Sequence, residues 1–257
     1  MSLPAVNYPS FSVQFWWEGT LRYIDPREKD YQRCFLLYLS CISSLSHEFE
    51  RKFSYEWSSY VHFNTLSKAL ISASNYWRVY DCVSAVKIAV EKLMETKFQE
   101  SLFKWMGAFS SVTLLLTELY NRKAIQFESI DSLKFTGGVL GGTVYFRKSV
   151  MNWIDLGKPT ENREKVNIEA RQYLFSVEKF RDIMDMMTYI SIFAIKIIGL
   201  TILLSKNSQL SGIRYIIENQ SWCLLGCFAF ATGCSLVSHF SEEYLNRYIE
   251  LNKRLLT

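Results

Sequence analysis

From Ser221 to Phe240 the sequence SWCLLGCFAFATGCSLVSHF contains no Lys, Arg, Asp or Glu. A helix of about 20 such residues matches the roughly 30 Å hydrocarbon thickness of a bilayer, whereas a soluble helix of that length keeps a charged face. The run therefore predicts a transmembrane helix, and Gly226 and Gly233 are expected to seat it against a neighbour. Upstream, Met187 to Ser205 (MTYISIFAIKIIGLTILLS) is as apolar, except for Lys196 near its centre. A central lysine costs roughly 2.5 to 3.5 kcal/mol on insertion scales, and each flanking Ile, Leu or Phe returns a few tenths, so the balance is near neutral. The two runs predict a hairpin. Within it Lys196 has four readings: snorkelling, facing a partner helix, lying at the interface with its cation up, or lining a pore.

A third apolar region divides into WMGAFSSVTLLLTELY, from Trp105, and FTGGVLGGTVYF, from Phe135. The second is too short to span a bilayer alone. Its Gly137, Gly138, Gly141 and Gly142 form two overlapping GxxxG pairs, the pattern of close helix approach. This predicts a glycine-lined helix, packed either inside a bundle or within the membrane.

The amino-terminal half carries helical periodicity. Asp25, Pro26 and Glu28 read as an N-cap, a first helical residue and a capping-box acid. Apolar positions then recur every three or four residues from Tyr31 to Leu45. In TLSKALISASNYWRVYDCV, Leu66, Ala69, Leu70, Ala73, Tyr76, Trp77, Tyr80 and Val83 share one face, and Lys68, Arg78 and Asp81 lie opposite, with Ile71 as the exception. Trp77 and the tyrosines suit the headgroup boundary, so this ribbon either binds membrane through those residues with Lys68 and Arg78 toward the headgroups, or packs its stripe onto neighbouring helices.

Composition supports long helices over short strands. Only 4 prolines and 11 glycines punctuate 257 residues, of which 16% are aromatic. The expected fold is all-α: a membrane-associated helical bundle with amphipathic N-terminal helices and a C-terminal transmembrane hairpin. It divides into an amphipathic region 1–104, a helical region 105–186, the hairpin 187–240 and a tail 241–257. A net charge of +4 is far short of a nucleic-acid footprint and compatible with an anionic membrane surface, but charge alone does not choose a partner; the apolar runs make membrane lipids the expected one. The cations before, between and after the two runs give the expectation that both termini are cytosolic.

Nothing in the sequence assembles a catalytic set. His47, His62 and His239 lack metalloprotease spacing, the glycine cluster lacks the Lys-Ser/Thr end of a phosphate loop, and the six cysteines lack zinc-ligand spacing. Glu48, Glu50, Asp182 and Asp185 read as solvated helix faces. The chain is expected to be no enzyme and to use no cofactor and no metal. Three classes remain: a curvature-generating scaffold, a pore or transport-facilitating bundle for metabolites, and a soluble α-helical interaction module.

The order of these elements resembles the peroxin-11 family of peroxisomal and glycosomal membrane-proliferation proteins. EGTLRYIDPREKDYQRCFLLYL is similar to the family's first helix, with Arg27, Glu28, Lys29 and Arg33 in its charged positions. LSKALISASNYWRVYDCVSAVKIAV is similar to its amphipathic segment; Arg78 keeps one cation, while Tyr80 and Asp81 stand where the family often has Gly and Lys. The nearest local likeness joins Tyr145, Phe146, Trp153 and Gly157 to Tyr173, Leu174, Phe175, Ser176, Arg181 and Asp182. The charge-free run resembles the family's C-terminal membrane helix, after which this chain continues further than members usually do. The resemblance implies a peroxisomal or glycosomal membrane protein that elongates the organelle before fission. It further implies that the amphipathic segment wedges one leaflet, that copies self-associate into a homo-oligomer, and that fission-machinery proteins are partners.

Overall fold

The computed structural model describes residues 6–24, 83, 86–87, 90–91, 98–121, 123–156, 168–205 and 219–253. These contain five helices and no strand: α1 Val13–Ile24, α2 Phe98–Asn121, α3 Ile130–Leu156, α4 Ile168–Leu204 and α5 Gln220–Leu251. The expected all-α fold is what the described residues show. The expected helix from Asp25 to Leu45 lies outside them, as does the ribbon from Leu66 to Tyr80. Val83, the last ribbon position, is helical and half exposed.

Local chemistry explains the helix ends. Ser12 opens α1, its Oγ accepting the Phe15 N–H at 3.1 Å, which satisfies one orphan donor of the first turn. α2 stops where Lys123 adopts φ 59°; the Ala124 N–H returns to the Leu119 carbonyl at 3.0 Å and the Lys123 N–H to that of Tyr120 at 2.9 Å. That is a Schellman closure with lysine where glycine is usual.

Two dimensions organise the rest. At 1.5 Å per residue, α4 with 37 residues and α5 with 32 are about 55 and 48 Å long, well beyond a 30 Å hydrocarbon layer. α4 runs unbroken across Met187 and α5 across Phe240, so each apolar run continues as helix into a polar, aromatic stretch. Extensive contact joins α2 to α3, α3 to α4 and α4 to α5, and α1 packs locally on α5. Among the described residues the long helices therefore form an antiparallel row, one helix thick.

A row has no closed interior, and burial follows from that. The buried hydrophobic cluster of Phe15, Ala170, Tyr244 and Tyr248, with Tyr173, Leu174, Val177 and Phe240 against it, joins α1 to the outer ends of α4 and α5. Along the apolar runs, Ile190, Ile197 and Leu204 of α4 and Trp222, Phe230 and Val237 of α5 are exposed. The large side chains there point away from the protein, and the small ones point into it.

Candidate membrane interface

The seams inside the row are built from glycine and hydroxyl side chains. On α3, Gly137 and Gly141 face α2: a Cβ at Gly137 would overlap the Thr113 side chain, and one at Gly141 would stand 2.6 Å from Ser110 Oγ. Ser110 donates to the Gly137 carbonyl at 3.0 Å, a hydrogen bond between helices. Gly138 and Gly142 face α4, where a Cβ at Gly138 would come within 2.8 Å of Leu200 Cδ2 and one at Gly142 within 3.8 Å of Phe193 and of Lys196 Cβ. The two overlapping GxxxG pairs thus serve two neighbours, because residues four apart share a face while adjacent ones diverge by 100°.

Lys196 lies in the second seam. A Cβ on Gly141 would stand 3.3 Å from its Cε and 3.7 Å from its Nζ, so the stem of the lysine occupies room that the missing glycine side chains leave. Of the readings open in the sequence, this placement is that of a cation facing a partner helix.

The α4–α5 seam uses the same economy of size. Thr188 and Ser191 of α4 and Ala231, Thr232, Cys234, Ser235 and Ser238 of α5 are buried, Ser238 against Asp185 of α4 and Ser235 against Tyr23 of α1. Thr188 donates to the Met184 carbonyl at 2.9 Å, Ser191 to Met187 at 2.9 Å and Thr232 to Phe228 at 2.8 Å. Each hydroxyl satisfies itself on its own helix, the arrangement that lets polar atoms sit where no water reaches. Gly226 and Gly233 take no part among the described residues: both are exposed, and a Cβ at either would meet none of those residues within 4 Å. The expectation that they seat α5 against a neighbour is corrected within this chain, since the face that packs carries Leu225, Ala231, Thr232 and Ser235 instead.

At Asp185 and Ser238 the packing changes character. Ser238 Oγ donates to Asp185 Oδ1 at 2.5 Å, so this carboxylate is engaged across the seam, not solvated as its sequence context suggested. Beyond that pair, Tyr173 and Tyr244 share a hydroxyl hydrogen bond of 2.9 Å, and the Tyr248 hydroxyl donates to the Ala170 carbonyl at 3.2 Å. Burial first, and then the bond to Tyr173, push the Tyr244 hydroxyl up from its ordinary range. α1 runs antiparallel to α5 here. Asn252 donates to the Asn7 carbonyl at 2.6 Å and accepts from its N–H at 2.9 Å, while the Tyr23 hydroxyl lies 3.1 Å from Ser235 Oγ. Between these ends, His239 Nε2 donates to the Gly19 carbonyl at 2.7 Å, and Phe240 leaves no space for a side chain at Gly19. Two ion pairs complete the joint, Arg22 with Glu243 at 2.9 Å and Arg247 with Glu18 at 2.7 Å.

Cations and rings mark a level about one helical turn beyond Asp185, on the α2 and α3 edge of the row. The Arg147 guanidinium lies 4.2 Å over the Phe103 ring, and Lys148 Nζ lies 5.0 Å from the Tyr189 ring and 5.8 Å from that of Tyr145. Aromatic rings with snorkelling cations are what a helix carries at a headgroup boundary. From this level to the Gly142–Lys196 contact is six residues of α3, roughly 9 Å.

The ribbon residues Leu66, Ala69, Leu70, Ala73, Tyr76, Trp77, Tyr80, Lys68 and Arg78 lie outside the described residues. α1 is the element that sequence reasoning missed; the signal for it was Ser12 followed by aromatics at helical spacing. Among the described residues no group of three or more His, Cys, Asp or Glu is placed to hold a metal, and Cys223, Cys227 and Cys234 are free thiols. α4 and α5 are each long and apolar enough to cross a membrane. Compared with known proteins, the chain is matched by no family model, no curated protein and no solved structure.

Proposed function

We propose that this chain is an integral protein of the peroxisomal or glycosomal membrane that elongates the organelle before fission. α4 and α5 anchor it as a hairpin, and the ribbon from Leu66 to Val83 wedges the facing leaflet. One observation carries the membrane part: only 11% of the most apolar window of α4 and 39% of that of α5 is buried within the protein. A core helix of a soluble protein hides such a surface, and here lipid is the solvent that removes it from water. The organelle rests on the peroxin-11 resemblance. The wedge rests on the apolar face of the ribbon, since burial at roughly 25 cal/mol per Å² in one monolayer amounts to several kcal/mol per helix. Both termini are cytosolic in this reading, because α1 and the end of α5 meet on one side of the row. Homo-oligomerisation would concentrate the wedges, and the fission machinery would act on the tubule they produce.

A pore reading draws on Lys196. A row one helix thick encloses no channel among the described residues, so a water path would need several copies. The scaffold reading is tested by carbonate extraction together with imaging of the tagged full chain. Retention in the pellet and elongated peroxisomes on overexpression are expected; release into the supernatant would place the chain among soluble helical modules.

A further inference from the structure

We infer that α1 is a further membrane contact, a helix packed antiparallel along α5 where α5 leaves the bilayer, with its aromatic face toward lipid. The inference rests on the anchoring of α4 and α5 proposed above and is independent of the wedge. α1 is inside-out for a helix in water. Its charged residues, Glu18 and Arg22, are both turned toward α5, where they pair with Arg247 and Glu243. Outward it presents Val13 at 87% exposure, Trp17 at 65%, Leu21 at 51% and Trp16 at 49%, together with Gln14, Thr20 and the half-exposed Arg22, whose guanidinium is held by Glu243. A helix bathed in water places these groups the other way round. Tryptophan with aliphatic neighbours, and at its edge an arginine that can reach the headgroups, is the composition of an interfacial face.

Position selects lipid as the occupant. The Tyr23–Ser235 and His239–Gly19 contacts hold the last turns of α1 beside the end of the charge-free run of α5. Trp16 packs on Phe240, the last residue of that run, with ring centroids 4.6 Å apart, so the apolar surface of α5 passes onto α1 through this ring pair. The Arg22–Glu243 and Arg247–Glu18 pairs then act as a bracket. They neutralise the charges that would oppose insertion and fix which face of α1 looks outward.

The test uses the full chain with its six cysteines replaced by serine, carrying a nitroxide label at Trp17→Cys, Leu21→Cys or Gly226→Cys, in vesicles of phosphatidylcholine with phosphatidylinositol. Collision with oxygen, which partitions into lipid, is compared with collision with a water-soluble nickel complex. Gly226 is exposed on α5 and reports the membrane anchor separately. Labels at 17 and 21 are expected to favour oxygen over nickel, less strongly than the label at 226. Nickel dominating at 17 and 21 while oxygen dominates at 226 overturns the inference and leaves the anchor standing. Labels at 17 and 21 that neither reagent reaches overturn it in favour of a protein partner on this face, and nickel dominating at 226 overturns both readings.

Discussion

Glycine at four positions of α3 decides how closely three helices approach. Replacing Gly137 or Gly141 by valine drives a branched side chain into Thr113 or Ser110, and overpacking of this kind costs about 1 to 3 kcal/mol. Thermal denaturation of the detergent-solubilised chain should show that loss, while Gly226→Ala, on an open face, should leave the midpoint where it was. Lys196 gives the complementary case. Lys196→Leu should ease membrane insertion by about 3 kcal/mol in a translocation assay, since the lysine carries that cost at mid-helix. Under the scaffold reading it should leave metabolite flux through proteoliposomes unchanged, and a fall in flux would favour the pore. Spacing made the four glycines legible, but spacing alone did not tell which neighbour each pair meets. Gly226 and Gly233 show the limit: small residues seven apart identify one face of a helix, and nothing in their chemistry says whether protein or lipid lies against it.

Among the elements, α4 and α5 were readable because a long run almost without charge leaves a helix no polar face to turn toward water. α1 was not, because its apolar residues occur on both sides. Phe15 and Tyr23 pack inward while Val13, Trp17 and Leu21 point out, so no single stripe stands against a polar face. The inward side nevertheless carries weight. Phe15→Ala removes a ring that is 1% exposed and should cost about 3 to 5 kcal/mol at the joint of α1, α4 and α5. Limited proteolysis of the reconstituted protein should then cut near α1, where wild type resists. The ribbon has its own test. A peptide from Asn64 to Lys97 should become helical on anionic vesicles and draw them into tubules, and Leu70→Asp or Trp77→Asp should abolish both effects; a peptide that stays disordered removes the wedge.

For the whole molecule, the arrangement of the row was beyond sequence reasoning, because hydrophobic periodicity gives each helix a face without telling whether the faces close on one another. Along α4 and α5 the joint of tyrosines, ion pairs and Asn252 is held by buried rings and direct bonds that do not depend on lipid, whereas the Ser, Thr and Gly seams beyond Asp185 and Ser238 gain little from hiding apolar surface. Loss of lipid should therefore undo the molecule in a fixed order. Harsh detergent would let the outer turns around Gly142 and Leu200 exchange their amide hydrogens first, while the knot around Tyr248 still holds, so that the protein comes apart from the bilayer end downward.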